Sequence, residues 1–161
     1  LKQASISFTT ELFINKISNT INGLKQITSR PDNIIFSGIN PHAGEQGMLG
    51  DEENIINDSI KVLQTKYKKI NFQGPYAADT IYMHLNNNQN NIIVYAYHDQ
   101  GLNPFKIING NIGINITLGA PFIRISVDHG TASNIANKNI ANYLGCYYQL
   151  LEAYRIQKGN L

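Results

Sequence analysis

Between Ile92 and Ala132 the sequence reads IIVYAYHDQGLNPFKIINGNIGINITLGAPFIRISVDHGTA, and this stretch narrows the available folds more than any other. An apolar run from Ile92 to Val94 ends in Tyr97-His98-Asp99-Gln100-Gly101. A second run closes on Asn115, Thr117 and Arg124, and a third on Asp128-His129-Gly130. Upstream, Ile34, Ile35 and Phe36 lead into Gly38-Ile39-Asn40-Pro41-His42-Ala43-Gly44-Glu45. Short apolar runs that stop at polar, glycine-bearing junctions read as buried strands. Open α/β sheets carry their ligand sites at such strand ends. Three of these junctions present a histidine: His42, His98 and His129.

Helical patterns lie between the strands. Leu12, Phe13, Ile17, Ile21 and Leu24 recur at spacings of three and four, which predicts a helix that opens the chain and stops near Gly23. Ser29-Arg30-Pro31-Asp32 then reads as a turn, and a strand follows from Asn33 to Ser37. Gly38, Pro41, Gly44, Gly47 and Gly50 break the next stretch too often for a regular element. Asp51 is the expected N-cap of a second helix, with Glu52 and Glu53 in its first turn, Ile56, Ile60 and Leu63 facing inward, and Lys66, Lys68 and Lys69 at its far end. A strand from Ile70 to Phe72 is expected to end at Gly74-Pro75, and Asp79 to cap a short helix through Leu85. A final helix is expected from Asn139 to about Ile156, burying Tyr143, Tyr147, Leu150, Leu151 and Tyr154. Strands alternating with helices predict an α/β fold of three layers, αβα, around a parallel or mixed sheet. No repeat or long linker interrupts the chain, so residues 1–161 read as one α/β domain.

Composition removes several classes of function. Apolar residues make up 42% and charged residues 15%, the balance of a folded globular chain. A net charge of +2 gives no case for nucleic acid or an anionic membrane surface. No apolar run approaches the roughly 20 residues that cross a bilayer. The single cysteine, Cys146, forms no internal disulfide, which points to a reducing cytoplasm. Neither the G-x-G-x-x-G pattern nor the P-loop pattern occurs, and there is no G-x-S-x-G elbow.

The remaining polar residues leave alternatives open. His42 and His98 either cap turns or ligate a transition metal, for which neutral imidazoles are the commonest protein donors. Two histidines do not complete a catalytic zinc site. His129 reads as a ligand, an acid/base group or an orienting residue, whereas His84, among Tyr82, Met83 and Leu85, reads as structural or surface. Arg124 sits where an alternating strand would bury it, against either an internal carboxylate or an anionic ligand. Lys106 is a second anion holder or a solvated charge. Asn115 and Thr117 alternate with Ile114, Ile116 and Leu118, which sets both on one strand face.

Five stretches, in order, carry a resemblance: GINPHAGE (Gly38 to Glu45), GPYAADT (Gly74 to Thr80), YHDQG (Tyr97 to Gly101), NITLGAPFIR (Asn115 to Arg124) and SVDHGTA (Ser126 to Ala132). Together they resemble the C-terminal portion of the 4-hydroxythreonine-4-phosphate dehydrogenase family of pyridoxal phosphate biosynthesis. The resemblance implies a fold similar to isocitrate and isopropylmalate dehydrogenases. It implies NAD or NADP and a divalent metal, zinc first and magnesium or cobalt as alternatives. The implied reaction oxidises 4-phosphohydroxy-L-threonine to a β-keto acid that decarboxylates to 3-amino-2-oxopropyl phosphate. By motif, His42 and His98 would be metal ligands, and Lys106, Asn115 and Arg124 would contact the phosphorylated substrate. Asp99, Asp128 and His129 are candidates for proton transfer or for orienting a ligand. The implied assembly is a homodimer sharing its active site. The family's third metal histidine, and a His-Thr pair that contacts substrate, belong to a portion upstream of this chain. Gln46, Asn137 and Asn139 stand where glycines are usual, and asparagine tolerates left-handed backbone angles. A sister dehydrogenase of a threonate or erythronate phosphate would use the same motifs. A catalytically silent metal- or phosphate-binding fragment is the alternative outside the enzymes.

Overall fold

The computed structural model describes residues 8–28 and 30–159. Ser29 of the predicted turn, and residues 1–7 of the expected helical opening, lie outside the described residues. The fold is α/β, with a parallel sheet and helices, and the chain separates into two compact units. Residues 8–21 with 30–101 form the first, and 22–28 with 102–159 the second.

The first unit is built around β1 (Asn33–Ser37), the middle strand of a three-stranded parallel sheet in the order β2-β1-β3. The flanking strands are β2 (Asn71–Tyr76) and β3 (Asn91–Val94). Every residue of β1 is buried, as its unbroken Ile-Ile-Phe run requires of a strand covered on both faces. Ile34 and Phe36 face a core shared with Ile17 and Ile21 of α1 (Thr10–Leu24), Ile56 and Leu63 of α2 (Glu53–Lys66), and Ile70 and Phe72. Each such aliphatic side chain contributes about 2 kcal/mol on full burial. The stripes expected for α1 and α2 are therefore the ones that pack, apart from Leu12, which is exposed. The strands also begin in register, Asn33 opposite both Asn71 and Asn91. The Asn33 amide donates to Gln89 and Asn91, and Asn71 donates back to Asn33, so the buried Asn33 side chain is satisfied at the strand starts.

Three local expectations are corrected. Asp51 does not cap α2, which starts at Glu53 with no side-chain bond at its N-cap. Asp79 caps nothing either; the segment is a 3-10 turn, Ile81–His84. Strand β2 passes through Gly74-Pro75 and ends at Tyr76, beside a register shift in β1 between Ile35 and Ser37.

The second unit contains most of α3 (His98–Asn109), the antiparallel pair β4 (Ile114–Thr117) and β5 (Arg124–Val127), and α4 (Leu144–Lys158). Helix α3 was not legible in the sequence, because Gly101 and Pro104 stand inside it. Helix α4 starts at Leu144, five residues later than the expected Asn139, and turns the other way. Tyr143, Tyr147, Leu150 and Tyr154 are exposed rather than buried, and Gly145 lies inward against Asn111. Among the described residues no helix is long and apolar enough to cross a membrane.

Candidate active site

Strands β1 and β3 are hydrogen-bonded neighbours, Phe36 opposite Val94, and both run out at the same edge of the sheet. His42 follows the end of β1, and His98 follows the end of β3 as the first residue of α3. Both imidazoles are exposed.

The turn that carries His42 has an unusual backbone. His42, Ala43, Gly44, Glu45 and Gln46 all hold left-handed dihedrals, with φ between 46° and 78°. Four of the five carry side chains, and such residues cost about 1–2 kcal/mol each in that region. Glu53, buried at 6% exposure, holds the approach to this turn. Its carboxylate accepts from the Ile39 N–H at 2.9 Å, the Asn40 N–H at 2.7 Å and the Asn40 side-chain amide at 2.9 Å. Charge-assisted bonds of this kind contribute about 2 kcal/mol each. A side chain on Gly44 would run into the same carboxylate, so only glycine fits there. The Asn40 amide also donates to Glu52, which holds the Glu52 carboxyl below the usual carboxylate range.

The His98 junction is fixed by Gln100. Its side-chain oxygen accepts from the Ala96 and Tyr97 N–H groups at 3.1 and 3.2 Å and from the Ser37 hydroxyl at 3.1 Å, while its amide donates to the Gly38 carbonyl at 3.2 Å. One side chain thus ties the turn before α3 to the end of β1. Sequence reasoning missed Glu53 and Gln100. A Glu near a helix start reads as a dipole partner, and nothing in the chain marks it as inward-facing. His98 Nδ1 lies 3.0 Å from the Asp99 carboxylate, both side chains well exposed.

In the second unit, Lys106 donates to the Asp128 carboxylate at 2.7 Å and to the Asp128 carbonyl at 2.9 Å. The Asp128 side chain is 7% exposed and Lys106 38%. Gly113 packs against Asp128 and Phe105 so closely that no side chain fits. Arg124, expected to be buried, is exposed. It pairs across the hairpin with Thr117, whose hydroxyl it reaches at 3.3 Å, and one face of this two-stranded ribbon is open. Asn115 pairs with Ser126. Asn115, Thr117, Arg124 and Ser126 therefore share a polar face, as the alternation predicts for the first two. His129 Nδ1 bonds the Gly130 carbonyl at 2.9 Å, and His84 stacks on Tyr76 at 3.5 Å. Asn137 and Asn139 take φ of 61° and 53°, the left-handed angles expected of them.

Two kinds of bound group can be tested against these residues. No cluster of three or more His, Cys, Asp or Glu among the described residues is arranged to hold a metal ion. His42 and His98 are exposed imidazoles that belong to no closed donor set among the described residues, and a catalytic zinc takes three protein ligands. A dinucleotide's pyrophosphate calls for cationic or backbone N–H donors. The cavity beside the His42 turn, about 380 Å³, is lined by Asp51 and Glu53 with no cation to meet a pyrophosphate.

Comparison with known proteins places the chain in a family. Residues 1–150 match the family model described as "Pyridoxal phosphate biosynthetic protein PdxA". A 4-hydroxythreonine-4-phosphate dehydrogenase of Desulforapulum autotrophicum is 44% identical over 78% of this chain and 37% of its own length. A D-threonate 4-phosphate dehydrogenase of Pectobacterium atrosepticum is 45% identical over 70% of this chain and 34% of its length. The crystal structure of a 4-hydroxythreonine-4-phosphate dehydrogenase from Klebsiella pneumoniae superposes with a TM-score of 0.76 at 33% identity, over 97% of this chain and 47% of that one. The chain spans about a third of the length of these curated relatives. It belongs to the PdxA family of pyridoxal phosphate biosynthetic proteins.

Proposed function

We propose that this chain is the C-terminal part of an NAD- or NADP-dependent, metal-dependent dehydrogenase of 4-phosphohydroxy-L-threonine. The β-keto acid formed would lose carbon dioxide to give 3-amino-2-oxopropyl phosphate, on the route to pyridoxal 5'-phosphate. One observation carries the reading: two exposed imidazoles follow neighbouring strands of one sheet in a chain of this family. His42 and His98 would hold the ion, zinc first, with further donors from an upstream portion. A bound divalent ion acts as a Lewis acid toward the substrate alcohol.

The other roles belong to this chain's side chains. Asp99 accepts from His98 Nδ1, which leaves Nε2 free to ligate. The Arg124 fork, flanked by Asn115 and Thr117, suits a phosphate or carboxylate and would fix the substrate's orientation. Lys106, steered by Asp128, offers a second cation. His129, bonded through Nδ1, keeps Nε2 for a proton. The nicotinamide is assigned no contact, and no step is routed through it. The exposed apolar side of α4 supports a homodimer with a shared site, and the exposed Cys146 suits the cytoplasm.

The 45% identical D-threonate 4-phosphate dehydrogenase favours a second reading, a sister enzyme acting on a phosphorylated sugar acid. NADH and NADPH formation by the full-length protein separates them. Phosphohydroxythreonine should be oxidised, and a chelator should abolish it. Preference for threonate or erythronate phosphate would give the assignment to the sister enzyme. Metal binding without turnover of any of them would leave a silent binding protein.

A further inference from the structure

We infer that Glu53 is a positioning residue for the metal ligand His42, holding its turn in the left-handed form and so setting the site's affinity for a divalent cation. This rests on the metal reading above and concerns a residue that meets no substrate. Glu53 is buried at 6% exposure, and none of the ion pairs among the described residues involves it. What it faces instead is the entry to the His42 turn: the Ile39 and Asn40 N–H groups at 2.9 and 2.7 Å, and the Asn40 amide at 2.9 Å. A buried carboxylate persists only where its partners are strong, and here each of these three is a donor from the loop that carries the histidine. A Cβ added at Gly44, two residues past His42, would lie 2.6 Å from the same carboxylate, so the backbone there runs close beside it.

The consequence is a coupling between core and surface. Glu53 begins α2, whose Ile56 and Leu63 are packed in the core, so the carboxylate is a fixed post. The turn hangs on that post at residues 39 and 40, just before His42, and Gly44 just after it lies beside the same carboxylate. Without it, His42, Ala43, Glu45 and Gln46 have reason to relax toward ordinary right-handed or extended angles, which would swing the imidazole away. Ligands must be held close to their productive geometry for tight binding.

The test uses the full-length protein and zinc or cobalt(II) alone, with affinity read by competition against a chromophoric chelator. Amide exchange at Ile39 and Asn40 is read in the metal-free protein. Glu53→Ala should weaken metal binding about 10- to 100-fold and speed exchange at both amides. Glu53→Gln, which keeps one oxygen for the two backbone donors, should fall between. Ile56→Val, a core change on the same helix, serves as the control: it should lower thermal stability without moving metal affinity. If Glu53→Ala does not fold, Glu53→Gln decides, and unchanged affinity there overturns the inference. Should His42→Ala lose the metal while the Glu53 variants keep it within twofold, the inference alone is overturned. Should His42→Ala bind as tightly as the parent, the metal reading falls and the inference with it.

Discussion

Lys106 and Asp128 are unequal partners, and their difference in exposure fixes what each substitution does. The Asp128 side chain is 7% exposed and has the Gly113 backbone against it, whereas Lys106 is 38% exposed and reaches solvent. Lys106→Met strands a carboxylate in a poorly solvated place, while Asp128→Asn leaves an ammonium that can turn to water and still bond the residue 128 carbonyl. A broken pair costs mainly the desolvation of the group left behind. Lys106→Met should therefore destabilise the full-length protein by about 2–3 kcal/mol, and Asp128→Asn by about 1 kcal/mol. Urea unfolding at neutral pH measures both, and the opposite ranking would mean that the pair is held for its cation. A lysine so anchored is a directed charge, and that suits it to a ligand's anionic end better than a mobile surface lysine would be.

At the level of elements, the hairpin of β4 and β5 separates recognition from stability. Thr117 and Arg124 are cross-strand partners on an exposed face, where such a bond contributes little to folding. Thr117→Val and Arg124→Ala should each change unfolding free energy by less than about 0.5 kcal/mol. Arg124→Ala should nevertheless weaken binding of a phosphorylated hydroxy acid at least tenfold, and Arg124→Lys should not restore it, since a lysine lacks the planar fork. Isothermal titration with the substrate checks both statements. This face was half legible beforehand. Alternation set Asn115 and Thr117 together, but the same rule wrongly buried Arg124, because it assumed a second layer over the ribbon. Elsewhere the legible elements were those whose partners lie in the same unit. Strand β1 and the stripes of α1 and α2 matched their pattern since they pack on one another. The left-handed turn at His42 and the inward Glu53 were not legible, because they depend on each other through a contact between residues 38–44 and the start of α2. Helix α3 was hidden by Gly101 and Pro104, whose propensities oppose the structure they stand in.

At the scale of the molecule, the apolar side of α4 shows where the described chain does not account for itself. Tyr143, the residue before the helix, is 73% exposed and Leu150 62%, with Tyr147 and Tyr154 of α4 also more than half exposed. Aromatic and aliphatic side chains gathered on one surface are typical of covered interfaces. The proposed homodimer would cover them. Replacing Tyr147 and Leu150 with lysine puts two charges onto a surface that is solvated in the lone chain, where they cost little. In a subunit interface the same charges would be desolvated without partners, and binding would suffer by several kcal/mol. The double variant of the full-length protein should keep its circular dichroism spectrum and sediment as a monomer at concentrations where the parent is a dimer. If it remains dimeric but melts at a lower temperature, the face is covered by the protein's own remaining chain, and the subunit contact must be sought on another surface.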